Sequence, residues 1–328
     1  MNYRRLGKTD YDVSEISLGT WQVGGGWDGP FDDAAADRIL NEAIDAGVNF
    51  IDTADVYDAG RSETAVGRVV RSRSETIYVA TKCGRQIDPH VSAGYTEAAL
   101  RAYVEASLRR TRLERLDLIQ LHCPPTEVYY RPEIFGLFER LREEGKIRHL
   151  GVSVEKVEEA IKAAEFGNVA TVQIIFNPFR QRPAERFFAL ARERDLGVIV
   201  RVPLASGLLT GKYSAATTFG PGDHRSFNRE GAAFDRGETF SGVDYERGLR
   251  AVDEIRAAFP GEDNLAPVAL RWILDHPEVS CVIPGASRPA HLHSNVSASD
   301  RAPLTPTERA AINAVYDRHV RADVHQRW

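Results

Sequence analysis

Eight short apolar runs punctuate the chain: Ile16 to Thr20, Val48 to Asp52, Thr76 to Thr81, Leu116 to His122, Ile147 to Ser153, Ala170 to Ile175, Gly197 to Val202 and Val279 to Ile283. Each has the length of a buried strand rather than of a helix. Between them, apolar residues recur at helical spacing, as in Ala36, Ile39, Leu40 and Ala43, in Leu100, Tyr103, Val104 and Leu108, in Ile134, Leu137, Phe138 and Leu141, and in Val157, Ala160 and Ile161. Buried strands alternating with one-sided helices are the pattern of βα units around a parallel sheet. Eight repeats predict an α/β fold of the (β/α)8 TIM-barrel type rather than an open sheet. Helix starts agree: Pro132 suits a first turn, and Thr305-Pro306-Thr307-Glu308 forms a capping box with proline at its first position.

Two stretches break the rhythm. Residues 1 to 15 read as a short β-hairpin that plugs the barrel bottom. Residues 212 to 243 carry no steady period but hold Tyr213, Phe219, Phe227, Phe234 and Phe240. A loop of that length is commonly a functional lid, and its aromatics predict that it packs. No linker or internal repeat interrupts the chain, so residues 1 to 328 are expected to form one barrel domain with a lid at 212 to 243. The 43% apolar content supplies a large core. A net charge of −5 and a pI near 6.0 give no general attraction to nucleic acid or anionic lipid. No apolar run approaches the roughly 18 residues of a membrane span, and no apolar stretch follows the first charged residues. Cys83, Cys123 and Cys281 suit reduced thiols, so the expected location is cytoplasmic. Oligomeric state is not legible.

A parallel barrel opens all its strand C-termini on one mouth, where active sites are built. Asp52, Lys82 and His122 end or follow three successive strand candidates, and Tyr57 lies in the loop after the first. A tyrosine with an ordinary pKa of about 10 is a weak acid at neutral pH. A neighbouring Lys82 ammonium would stabilise the phenolate, and Asp52 would hold Lys82 charged. Tyr57 then becomes a proton donor, and a neutral His122 can orient a substrate carbonyl by hydrogen bonding.

These residues lie in stretches that resemble the aldo-keto reductase superfamily. The matching segments are Phe50-Ile51-Asp52-Thr53-Ala54-Asp55-Val56-Tyr57, Thr81-Lys82, Leu121-His122, Gly151-Val152-Ser153, Val172-Gln173 with Phe176-Asn177, Pro203 to Lys212, and Ile283-Pro284-Gly285-Ala286. They follow the family's order over nearly the whole chain and are most similar to its bacterial general-stress branch. The resemblance implies NADP(H)-dependent reduction of an aldehyde or ketone, or the reverse oxidation, with the tetrad Asp52, Tyr57, Lys82 and His122 as catalytic residues. It also implies a cofactor site that includes Gly19, Thr20, Trp21, Asp52, Pro203 and Leu204. Ser153 and Gln173 are implied to hold the carboxamide, and Ser206, Gly207, Leu208, Thr210 and Lys212 to wrap the pyrophosphate. Gly285, Ser287, Arg288, His291 and Asn295 fall in the adenosine and 2′-phosphate region, where Arg288 can grip a phosphate and so favours NADP over NAD.

The chain departs from the family pattern at two places. Val154 stands where an asparagine usually follows the serine, and Arg201 where an aromatic ring usually stacks on nicotinamide. An arginine there adds positive charge, which by field alone favours bound NADPH over NADP+ and so reduction. Substrate contacts are expected from Trp21, Trp27, Tyr57 and His122, with Asp55, Arg201 and the lid shaping a pocket for an apolar or sugar-like carbonyl compound; packing is the competing role for both tryptophans. Cys83, His90, His122 and Cys123 match no closed zinc spacing, and no metal is expected. The alternative function is that of a cofactor-sensing regulatory protein like the barrel-shaped subunits of potassium channels, which resemble the same family.

Overall fold

The computed structural model describes residues 1–25 and 29–328. Strands β1 (Tyr3–Arg5) and β2 (Asp12–Ser14) form an antiparallel hairpin. The barrel strands are β3 (Leu18–Gly19), β4 (Phe50–Asp52), β5 (Tyr78–Cys83), β6 (Leu116–His122), β7 (Ile147–Ser153), β8 (Val169–Ile175), β9 (Gly197–Arg201) and β10 (Val279–Val282). They pair in chain order, each parallel to the next. The seam closes where Ile16 and Gly19 bridge to Val282 and Gly285, with the Ser17 N–H donating to the Val282 carbonyl at 2.9 Å. A Cβ on Gly19 would lie 2.7 Å from the Ile283 carbonyl oxygen, so a side chain there would force the seam apart.

Helices α1 (Asp33–Asp45), α2 (Arg61–Val70), α3 (Glu97–Thr111), α4 (Pro132–Glu143), α5 (Val157–Ala163) and α6 (Phe187–Glu193) follow successive strands. After β9 come the short α7 (His224–Phe227), then α8 (Tyr245–Ala257) and α9 (Ala266–Leu274); α10 (Pro289–Asp300), α11 (Pro306–His319) and α12 (Arg321–Val324) follow β10. The expected starts are met: Pro132 opens α4, and the Thr305–Glu308 capping box opens α11 at Pro306. The third run is shifted, since the strand begins at Tyr78 and extends to Cys83.

Strand alternation places the chemistry. Side chains two residues apart share a face. Phe50, Ala80, Leu118, Ile199 and Cys281 form an apolar cluster with Leu6, Tyr11 and Val13 of the hairpin. The plug expected of residues 1 to 15 is therefore present, and it seals one end. Two residues further along the same strands stand Asp52, Lys82, Gln120 and Arg201, and His122 lies two beyond Gln120. The barrel interior thus changes from apolar to polar in one step toward its C-terminal mouth.

Segment 212 to 243 is packed rather than extended. It contains α7 and short 3-10 turns at Arg236–Glu238 and Phe240–Gly242. Phe240 is buried and its ring lies 5.9 Å from that of Phe219. Phe227 differs, with 44% of its surface exposed.

Candidate active site

The polar layer is knit by hydrogen bonds. Lys82 is buried and forms an ion pair with Asp52, while its ammonium also donates to the Thr53 carbonyl at 3.0 Å and to Tyr57 Oη at 3.2 Å. The second Asp52 oxygen accepts from Gln120 at 3.0 Å and Gln173 at 2.8 Å. The ring of His122 meets that of Tyr57 edge-on at 6.1 Å. Asp52, Tyr57, Lys82 and His122 are therefore brought together as expected.

The electrostatics agree in part. Burial alone would lower the Lys82 pKa, but Asp52 and Tyr57 outweigh it, so the ammonium stays charged. Burial, aided by the cations Arg85, Lys82 and Arg201, holds His122 well below the ordinary imidazole range. Its buried Nδ1 has no protein partner, which leaves a polar atom for a ligand to satisfy. Tyr57 behaves otherwise than the pairing with Lys82 suggests. Burial raises its pKa more than Lys82 lowers it, so the net shift is upward and the phenol holds its proton.

One cleft of about 560 Å³ runs from this tetrad across the mouth. Asp52, Tyr57, His122 and Gln173 line one end with Gly19, Thr20, Trp21 and Arg201. Pro203, Leu204, Ser206, Gly207, Thr210 and Lys212 line its middle, and Gly285, Ser287, Arg288, His291 and Asn295 the far end. The backbone is strained along this wall: Val202, Ala205 and Ser206 hold φ values of 50°, 47° and 55°. A β-branched residue such as Val202 is a true outlier there, and such strain collects at functional sites. At the far end, Arg288 reaches His291 Nε2 at 3.0 Å and Asn295 donates to the Gly285 carbonyl at 3.3 Å. Lys212 and Arg288 both depress the His291 pKa, after burial. This end of the cleft is cationic and suits phosphate groups.

Other expected residues stand elsewhere. Ser153 is fully buried beside Cys123, with 3.4 Å between Oγ and Sγ, and does not line the cleft. Leu208 is packed in the core. Asp55 is 1% exposed and also lies off the cleft, so it does not shape the pocket. Trp27 lies outside the described residues. Trp21 packs toward the tetrad, stacked 6.0 Å from Tyr57 and 5.1 Å from His224. Val154 is buried, and its carbonyl accepts from Arg201 at 3.0 Å.

Arg201 belongs to an ion cluster at the cleft wall. Glu238, from the 212 to 243 segment, lies 3.1 Å from Arg201 and accepts from Arg85 at 3.0 Å; Glu155 lies 3.4 Å from Arg85. Burial, with Glu238 and Asp235, pushes Glu155 up to about 8 against the pull of Arg201 and Arg85. Two guanidiniums therefore face two carboxylates, of which Glu155 is the weaker acid. The ligand atoms of Cys123, Glu155 and Glu238 lie within 4.8 Å of one another, but the arginines already supply the positive charge that a metal ion would bring. Of these residues Arg85 had a readable signal, three residues past Lys82 on the same strand end. Glu238 had none, lying in a segment without periodicity.

Barrel, polar mouth and cleft together have the form of a barrel enzyme, and the comparisons with known proteins make it an oxidoreductase. The sequence profile of the Aldo/keto reductase family matches residues 15–317, and the chain belongs to that family, whose members use nicotinamide cofactors. It is 30% identical to the uncharacterized oxidoreductase YqkF of Bacillus subtilis, over 99% of each chain. The NADH-specific methylglyoxal reductase of Escherichia coli is 28% identical, with 89% of this chain and 92% of that one covered. Among solved structures, the glycerol dehydrogenase AKR11B4 from Gluconobacter oxydans superposes with a TM-score of 0.76 at 32% identity, covering 97% of this chain and 96% of that one. Among the described residues, no helix is long and apolar enough to cross a membrane.

Proposed function

We propose that the protein reduces an aldehyde or ketone with NADPH, reversibly, and that Tyr57 delivers the proton. The observation that carries this reading is the chain of buried Asp52, buried Lys82 and half-buried Tyr57 beside a neutral His122, open to one long cleft. A protonated phenol is the form a proton donor must start from. As charge develops on the carbonyl oxygen, the fixed Lys82 ammonium stabilises the phenolate left behind, an electrostatic aid in place before the reaction. His122 orients the carbonyl without competing as a charge. The oxygen takes its proton from Tyr57, and the carbonyl becomes an alcohol. When bound, a reduced nicotinamide supplies the hydride from C4 to the carbonyl carbon.

The residues present suit such a cofactor. Gln173 and Arg201 lie beside the tetrad, the strained turn at Ser206 and Gly207 gives close backbone approach, and Lys212 and Arg288 offer cations to phosphates. Arg288 supports NADPH over NADH, because a 2′-phosphate gives its guanidinium a partner. Titration with NADPH and NADH, followed by cofactor fluorescence, and a carbonyl panel with NADPH consumption as readout test the reading. Binding of neither cofactor would overturn it.

A further inference from the structure

The wall of the substrate end holds a carboxylate that the proton-transfer chemistry does not use. Glu238 lines the cleft at 7% exposure, and it lies close enough to Tyr57 to oppose ionisation of the phenol. Burial alone would push its carboxyl up, but Arg85 and Arg201 hold it ionised. One oxygen accepts from Arg85 and the other faces Arg201. A carboxylate offers about four lone-pair sites, so roughly two stay open to a donor. The outer nitrogens of the neighbouring guanidinium groups are engaged, and the one Arg201 nitrogen without a protein partner, Nε, is itself buried. Arg201 bonds Val154, approaches Cys123 Sγ at 3.4 Å and pairs with Glu238, while Arg85 pairs with Glu155 and Glu238 and does not line the cleft. The cleft wall therefore presents an acceptor where Glu238 stands, and its charge disfavours an anionic group beside it. The lid backbone is tied at the same place, since the Glu238 carbonyl accepts from Ser206 Oγ at 3.2 Å and Ser206 Oγ accepts from the Phe240 N–H at 3.1 Å. Position and charge are thus both fixed before any ligand arrives. Across the same end, Trp21 offers an aromatic face beside Tyr57.

We infer that Glu238 is a specificity residue that accepts a hydrogen bond from a hydroxyl on the carbon next to the reacting carbonyl, and that the preferred substrates are short α-hydroxy carbonyl compounds. The inference rests on the reductase reading above. Aromatic face on one side and arginine-held carboxylate on the other match a small molecule with apolar CH groups and adjacent hydroxyls. A deoxy analogue leaves the acceptor without its donor. Sites built to bond a substrate hydroxyl reject analogues lacking it far more strongly than apolar pockets reject a size change.

The test is a ratio of kcat/KM values for near-isosteric aldehydes with NADPH or NADH as donor. Glycolaldehyde and propanal differ by a hydroxyl in place of a methyl group, and in glyoxylate a carboxylate replaces the hydroxymethyl group. The unaltered protein is expected to favour glycolaldehyde over propanal by at least about tenfold, the value of one hydrogen bond to a charged group, and to disfavour glyoxylate. Glu238→Gln should collapse the glycolaldehyde to propanal ratio toward one. A preference for propanal or for glyoxylate in the unaltered protein would overturn the inference, as would a Glu238→Gln variant that slows both aldehydes equally, the behaviour of a lid tie alone. Reduction of propanal without the preference would defeat this inference and leave the reductase reading standing; reduction of none of the three by the unaltered protein would defeat both.

Discussion

Replacing Asp55 with asparagine should flatten the dependence of folding stability on pH. Asp55 lies between Asp52 and Tyr57 in sequence, is 1% exposed, and neither carboxylate oxygen has a protein partner. Burial, with the charge of Glu63 added, pushes its pKa from the model-peptide 3.8 up to about 7. An unfolded chain loses this proton near pH 4, whereas the folded protein keeps it until about pH 7. Between those values folding takes up a proton, so stability is greatest below the lower one and falls as pH rises through the window. Each pH unit is worth about 1.4 kcal/mol, and the full window about 4 kcal/mol. Urea unfolding at pH 5 and pH 8 gives the drop for each protein. Because an unfolded chain has already lost this proton by pH 5, the Asp55→Asn variant should lose about 3 kcal/mol less across that interval than the unaltered protein. Any constant cost of the amide cancels in the difference, as does the matching contribution of Glu155. Equal drops would show that Asp55 is ionised in the folded state and refute the reasoning.

Further expectations concern the cleft. Lys82→Met keeps the stem and removes the ammonium, so carbonyl reduction should fall by about 10²-fold or more while NADPH affinity changes little; fluorescence titration beside steady-state kinetics checks both. Arg288→Ala should weaken NADPH by about tenfold or more and NADH hardly at all; equal losses would remove Arg288 from 2′-phosphate recognition. Because His122 is held neutral well below its usual range, kcat/KM should show no imidazole step between pH 6 and 8. A step near pH 6.5 that vanishes in His122→Asn would contradict this.

The barrel was readable because period-two and period-3.6 patterns survive wherever one face is buried. Once the strands are placed, alternation does the rest: Phe50, Ala80 and Leu118 point inward, so Asp52, Lys82, Gln120 and His122 must as well. The cleft end formed by Ser206, Gly207 and Arg288 came from resemblance, since turns and surface cations carry little pattern of their own. Four features were beyond reach. Asp55 shares its segment with two tetrad residues, yet its side chain leaves the cleft for the neighbourhood of Glu63 and Arg110. Ser153 and Leu208 kept their places in the motif but turn into the packed interior. Arg201 read as an isolated positive charge because its partner Glu238 lies 37 positions on, in a segment without period. The upward shift of Tyr57 likewise follows from burial, which no local sequence window reports.

The proton-donor role of Tyr57 is the centre of this account, and Tyr57→Phe tests it with the loss of one oxygen. Carbonyl reduction should fall by at least about 10²-fold, with NADPH bound as tightly as before. A Tyr57→Phe protein that binds NADPH and still reduces carbonyl substrates within a few-fold of the unaltered rate would contradict it.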